Sequence, residues 1–402
     1  MALRVAFLLI IGIAVRAQPL AVHTDSARSR VEFKEEKLHG RDAYILDNGL
    51  FRIAALRGGG HLAEIRLISN DPHKSINPMR VPHYATIDPH TYDPSKHDAL
   101  YGSDPHRWLS SGYMGHLLCF PFYGPPSTDE AEAGLGNHGE APIVEWRKIS
   151  VDGDASSITL RYGADLPKTQ FRVGRAITLR AGDRFAVVEE WVENLAGFDR
   201  PINWMQHATF GPPFVEPGMN YLDLPATRGL VAGGRLESAS LRPDSEVNWP
   251  DGVSWDGTRT DLRAFRSRPN AGTYCALLLD GKRPLQFFTM YHSGYGVAIG
   301  YVFPAEGNPW IADWQENHSI RTPPWNGQVV ARGIEFGSSP FAEGLRRSVE
   351  RGALFGVPAY RWIGARQRLR TEFTVFVVEI PDEFRGVKDV VMEHGRPVVV
   401  RR

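Results

Sequence analysis

Cysteine is almost missing. The 402 residues contain two, Cys119 and Cys275, too few for a disulfide framework or a cysteine-based zinc finger. Charge of either sign is also in no excess, since 46 Lys and Arg balance 46 Asp and Glu. A chain without a basic surplus has no electrostatic footprint for a polyanion, which speaks against nucleic acid as a partner. No apolar run reaches the ~20 residues that a membrane helix needs. No glycine-rich strand–turn–helix is found, so a dinucleotide or P-loop fold is excluded. Internal repeats of 20–50 residues are absent as well.

What is abundant points elsewhere. Hydrophobic residues make up 42% and charged residues 23%, so the chain as a whole is not disordered. It carries 40 Gly, 29 Pro, 20 Phe, 13 Tyr and 10 Trp, a composition of short strands, tight turns and aromatic-lined surfaces. Residues 1–17 read as a secretory signal. Arg4 opens it, residues 5–15 are an uncharged, mostly apolar run, and Val15-Arg16-Ala17 offers small residues for cleavage. The expected mature protein, residues 18–402, is soluble and exported to a periplasm or the outside. Removing Arg4 and Arg16 leaves 44 basic residues against 46 acidic, a net of −2. In an oxidising compartment Cys119 and Cys275 could pair, or remain two separately buried thiols.

Strand follows strand along the rest. Asn48-Gly49 between apolar runs signals a hairpin. Period-two alternation rich in β-branched and aromatic residues marks residues 157–162, 171–179, 184–192, 274–279, 285–291, 296–302, 328–336 and 371–380. A single helical stretch is expected at residues 340–354, with Phe341, Leu345, Val349 and Leu354 near one face. Residues 71–111 and 121–141 read as long loops that shape a binding site. The expectation is one large all-β antiparallel domain beginning soon after residue 30.

Three stretches set ionisable groups among small or apolar neighbours. His138 lies in Gly136-Asn137-His138-Gly139-Glu140, where glycines let a ligand come close to the imidazole. The bland alternative is a surface turn histidine. His207 shares a strand face with Asn203, Met205 and Thr209, while Trp204 and Phe210 point the other way. It is suited to acid–base work or, equally, to a core hydrogen bond. Glu335 faces the same way as Ala331 and Gly333, a small-residue lane that admits a ligand, unless it pairs with Arg332. A fourth cluster, His83, Asp88, His90, Asp93, His97, Asp98, Asp104 and His106, is dense enough for a metal but lacks a recognised ligand spacing. No metal is expected there.

Together these stretches resemble the aldose 1-epimerase (galactose mutarotase) family, as a divergent branch. Asn137-His138-Gly139 is similar to its His-Gly loop, Asn203 to Phe210 to its Asn-x-x-x-His-x-x-Phe strand, and Gly333-Ile334-Glu335 to its late glutamate. Two departures stand out: Gly115 to Gly124 replaces a Gly-Asn-Arg-Ile-like segment, and Thr209 to Phe214 differs from the usual continuation. The resemblance implies a large antiparallel β-sandwich with a sugar on its concave face and no cofactor. It further implies Glu335 as base to the C1 hydroxyl, His207 as acid to the ring oxygen, and His138 holding that oxygen or a neighbouring hydroxyl. Trp204, Trp310, Trp314 and Tyr113 are candidates for covering the sugar, and Arg332, Asp313, Gln315, Glu316 and Asn317 for hydrogen bonding it. Two other readings stay open: a glycoside hydrolase or lyase pairing Glu335 with Asp313 or Glu316, and an exported carbohydrate-binding protein without turnover.

Overall fold

The structure is a computed structural model that describes residues 20, 22–23, 30–103, 105–235, 238–265 and 268–402. The stretch read as a secretory signal lies outside the described residues. Alternation of apolar and polar residues builds two facing antiparallel sheets, each turning its apolar side to the other. The larger has thirteen strands, in spatial order Glu32–Leu38, Arg41–Asp47, Phe51–Leu56, Leu62–Leu67, His116–Cys119, Met205–Phe210, Val330–Gly337, Trp310–Asn317, Ala271–Leu279, Ala226–Val231, Glu246–Asn248, Asp251–Val253 and Arg259–Asp261. The other has eight, running Asn220–Asp223, Leu285–His292, Val297–Pro304, Arg368–Glu379, Phe185–Asn194, Phe171–Arg180, Ser157–Leu166 and Arg147–Asp154. The expected large antiparallel β-sandwich is what forms.

Local chemistry explains the joints. At Asn48-Gly49 the Asn48 side chain accepts from the backbone N–H groups of Leu50 and Phe51, at 3.0 and 2.8 Å, and so fixes the hairpin. Between the sheets Ile53, Ile65, Phe210 and Ile334 of one meet Val173, Val188, Phe288 and Val375 of the other. This dry layer also holds a closed polar network. Arg175 donates to Glu190 at 2.6 Å, and Glu190 accepts from Trp204 Nε1 and Gln206 Nε2 at 2.5 Å each. Arg175 also donates to the Gly60 carbonyl and to Gln206 Oε1, so the charged and amide groups of this network are partnered, which is what makes their burial tolerable.

Helices are more numerous than the alternation suggests. The expected helix at 340–354 is shorter, Leu345–Arg351, bounded by Gly344 and Gly352, and Ala353–Leu354 pairs as a strand with Val357–Pro358. Three more helices lie in the segments read as loops: Pro94–Tyr101, Arg107–Gly112 and Thr128–Glu132. They are short and carry no clean apolar stripe, so periodicity misses them. Two of them are capped: Asp93 accepts from Ser95 N–H before Pro94, and Ser127 with Glu130 forms a capping box. Both cysteines are free and buried. Among the described residues no helix is long and apolar enough to cross a membrane.

Candidate active site

The five strands from His116–Cys119 to Ala271–Leu279 form the middle of the larger sheet, and their outer face is roofed by residues 105–113, 137–142 and 320–325. On the strand Met205–Phe210 the side chains of Met205, His207 and Thr209 turn to this outer face, while Trp204, Ala208 and Phe210 enter the core between the sheets. Antiparallel pairing sets His207 directly opposite Glu335. Their side chains meet, His207 Nε2 to Glu335 Oε1 at 3.0 Å, both buried. Gly333 makes room for that contact. A Cβ at Gly333 would fall 2.8 Å from Glu335 Oε1 and 3.2 Å from His207 Cε1.

His138 arrives from the roof. Its backbone takes φ 66°, its N–H donates to the Gly124 carbonyl at 2.8 Å, and its carbonyl accepts from Phe120 N–H at 3.1 Å. Gly139 beside it has φ 89° and packs so tightly that a Cβ would lie 2.3 Å from the Phe120 carbonyl oxygen. The glycine is therefore required by close backbone approach as well as by conformation. His138 Nδ1 accepts from Gly124 N–H at 3.2 Å, so the hydrogen of the neutral ring sits on Nε2. The rings of His138 and His207 are 5.0 Å apart, edge to face.

These three groups open on one cavity of about 420 Å³, within the size range of small-molecule sites. Tyr113, Tyr274, Trp314 and Trp325 supply aromatic walls, joined by His106, Asn137 and Ser110. Two polar atoms on these lining residues are buried without a hydrogen-bond partner, Glu335 Oε2 and Asn137 Oδ1. An unmatched buried acceptor costs free energy until a ligand or water supplies a donor. Burial pushes the Glu335 carboxyl well above the usual carboxylate range. Burial, with the nearby His116 next in weight, pushes the His207 imidazolium down to about 3. His138 is likewise driven well below its ordinary value, first by burial and then by His207. Both imidazoles are thus neutral donors at physiological pH.

Several expectations need correction. Arg332 and Gln315 face away from the cavity: Arg332 is fully buried, donates to both oxygens of Asp313 at 2.9 and 2.8 Å and to the carbonyls of Leu262 and Arg263, and Gln315 donates to Asp313 at 2.9 Å. Neighbouring residues on a strand point to opposite sides, so the choice of Glu335 for the cavity turns Arg332 away. Trp204 belongs to the core network through Glu190. Trp310 donates to the Pro358 carbonyl at 2.9 Å and does not line the cavity. Glu316 is consumed by Ser319 and Ile320, and Asn317 ends its strand outside the cavity lining. Tyr113 and Trp314 do line it. Tyr274, Trp325 and Asn137 were not singled out; only Asn137 carried a signal, as the neighbour of His138. Arg80 was also missed. It is sandwiched between the rings of Tyr113 and Trp325, 4.7 and 4.6 Å from their centroids, and donates to the Tyr113 carbonyl at 2.7 Å.

The acid- and histidine-rich segment is explained by local structure. Asp88 pairs with Arg41 at 2.8 Å, Asp93 caps a helix, Asp98 accepts from the Tyr92 hydroxyl, and His97 accepts from Asp93 N–H. Asp104 lies outside the described residues.

No family model matches the chain, and no curated protein matches it in sequence. Solved structures do. A candidate aldose 1-epimerase from Klebsiella pneumoniae superposes with a TM-score of 0.60 at 13% identity, over 87% of this chain and 83% of that one. A galactose mutarotase-like protein from Clostridium acetobutylicum gives 0.57 at 12%, over 87% and 99%. The chain has the galactose mutarotase-like fold. A candidate mutarotase from Salmonella typhimurium repeats the match at 0.52 and 12%, over 90% and 97%. At such identities the galactose mutarotase-like architecture is what is shared, with the sequence widely diverged.

Proposed function

We propose that this protein interconverts the anomers of a free, uncharged sugar, as an aldose 1-epimerase-type isomerase. The observation that carries the reading is Glu335 Oε2: a buried carboxyl oxygen with no partner, on an aromatic-walled cavity that His138, an N–H donor, also lines. Aromatic walls suit the apolar faces of a pyranose, and Asn137 Oδ1 offers a further acceptor for a hydroxyl. Among the described lining residues there is no Lys or Arg, and Arg80 lies behind the rings of Tyr113 and Trp325, so a phosphate or carboxylate group on the sugar would touch no cation.

In this reading Glu335 Oε2 takes the proton of the C1 hydroxyl, and charge grows on the ring oxygen as the C1–O bond breaks. The Nε2–H of His138 supports that charge. The carboxyl then hands the proton to the same oxygen, giving the open hydroxyaldehyde with Glu335 ionised again. Rotation about C1–C2 and reversal of the steps yield the other anomer. No net proton is consumed. The role of His207 differs from the acid expected for it: its nitrogens are engaged by Glu335 on one side and by Thr209 and Tyr113 on the other. It stabilises the carboxylate through Nε2–H. A neutral imidazole as electrophile beside a carboxylate base is an established pattern in isomerases.

The hydrolytic alternative has less support, because Asp313 and Glu316 are both engaged away from the cavity and leave Glu335 without a partner carboxylate. The test is polarimetry of freshly dissolved α-glucose and α-galactose. Wild type should accelerate the change in rotation, and Glu335→Gln should lose ~10²-fold or more. Sugar binding with no acceleration by wild type would instead make this a carbohydrate-binding protein.

A further inference from the structure

His207 stands at the end of a chain of hydroxyls that nothing in the reaction itself requires. Tyr113 Oη lies 2.5 Å from Thr209 Oγ1, and Thr209 Oγ1 lies 2.9 Å from His207 Nδ1. Tyr113 Oη is also 3.3 Å from the same nitrogen. Thr209 reaches it because residues two apart on a strand share a face. Tyr113 reaches it because Arg80 clamps that residue, stacking on the ring and bonding its carbonyl.

The hydrogens of this chain can be arranged in two ways. If they run inward, Tyr113 donates to Thr209, Thr209 donates to Nδ1, and His207 donates from Nε2 to Glu335 Oε1. Every hydrogen then has an acceptor. If they run outward, Nδ1–H donates to Thr209 and Thr209 to Tyr113. The Tyr113 hydroxyl hydrogen is then left without an acceptor among the described residues. Nε2 is bare in that arrangement, and only a protonated Glu335 could fill the 3.0 Å contact. A buried hydroxyl without an acceptor costs about 1–3 kcal/mol, so the inward arrangement wins.

We infer that Tyr113 and Thr209 are positioning residues, whose hydroxyls hold the hydrogen of His207 on Nε2 and thereby keep Glu335 an acceptor. The inference rests on the proposed isomerase reading only for its consequence on rate; the placement of the hydrogen is a property of the unliganded protein. An imidazole held in the wrong tautomer can cost on the order of 10⁴-fold in rate.

Long-range proton–nitrogen correlation spectra of ¹⁵N-histidine-labelled protein separate a bare ring nitrogen from a protonated one, and His207→Gln identifies the signals. Wild type should show Nδ1 bare and Nε2 protonated. Thr209→Ser keeps the hydroxyl and should keep the pattern. Thr209→Val with Tyr113→Phe removes both donors while preserving shape, and should move hydrogen onto Nδ1. In the double variant kcat should fall at least ~10-fold, with a smaller change in KM, while Thr209→Ser alone should keep the wild-type rate. A bare Nε2 in wild type, or an unchanged pattern in the double variant, would overturn the inference. Failure of wild type to turn over any aldose would remove the isomerase reading, while the spectra would still decide the tautomer.

Discussion

Lowering the pH tests whether the interior histidines are held neutral. His61 and His207 are both buried, and burial pushes each down to about 3. In the unfolded chain a histidine takes up its proton near the ordinary value of about 6.5. Between those limits the unfolded state binds more protons than the folded one, so stability is complete above pH 6.5 and is lost as the pH falls. From pH 7 to 4.5 each of the two histidines removes about 2.5 kcal/mol, about 5 kcal/mol together. His116 and His138 are driven the same way, chiefly by burial, and add to the loss. Glu335 opposes it: its raised value makes the folded state the better proton binder above the ordinary carboxylate range, so this group recovers stability as the pH falls. Total stabilities of folded proteins are about 5–15 kcal/mol, so a loss of this size takes about a third or more of the reserve by pH 4.5. Urea titrations followed by tryptophan fluorescence at pH 7, 6, 5 and 4.5 measure the slope. His61 donates from Nε2 to the Pro142 carbonyl at 2.9 Å and does not line the cavity. His61→Gln removes one titrating group, and the slope below pH 6 should flatten by about 1.4 kcal/mol per pH unit. A wild-type stability that is level from pH 7 to 5, or identical slopes for the two proteins, would refute the reasoning.

The dependence of turnover on pH should be a single rise as Glu335 ionises, placed above the ordinary carboxylate range, rather than the bell expected if His207 were an imidazolium donor; a fall on the alkaline side that vanishes in a His207 variant would restore that role. Trp314→Ala should raise KM for aldoses about 10-fold, equivalent to roughly 1.4 kcal/mol of lost contact, with little change in kcat. Asp313→Ala leaves the Arg332 guanidinium buried without its carboxylate and should cost about 3–5 kcal/mol in a urea titration, while the folded fraction keeps its KM. Glucose 6-phosphate should neither be turned over nor quench tryptophan fluorescence at concentrations where glucose does; equal quenching would remove the argument from a lining without Lys or Arg.

Much of the architecture was legible along the chain, because alternation reports directly on which side of a strand meets the core. Gly136 to Glu140, Asn203 to Phe210 and Gly333 to Glu335 were also visible locally, as His138, His207 and Glu335 set among small or apolar neighbours. The three short helices were hidden. Residues 94–101 and 128–132 carry caps but bury almost nothing, and 107–112 is a six-residue turn of helix, too short for periodicity to register. What the sequence could not reveal was which side of the paired strands is roofed and which is filled. Arg332 adjoins Gly333 and looks as available as Glu335, yet the pleat sends one into the sandwich and the other into the cavity. Tertiary packing alone put Glu335 opposite His207, moved Trp204 into the Glu190 network, and brought Tyr113, Tyr274 and Trp325 from distant segments to one wall. It also set the chemistry of the site. The residue types supply a carboxyl and two imidazoles, but their protonation follows from exclusion of water, a property of the assembled fold and of no segment by itself.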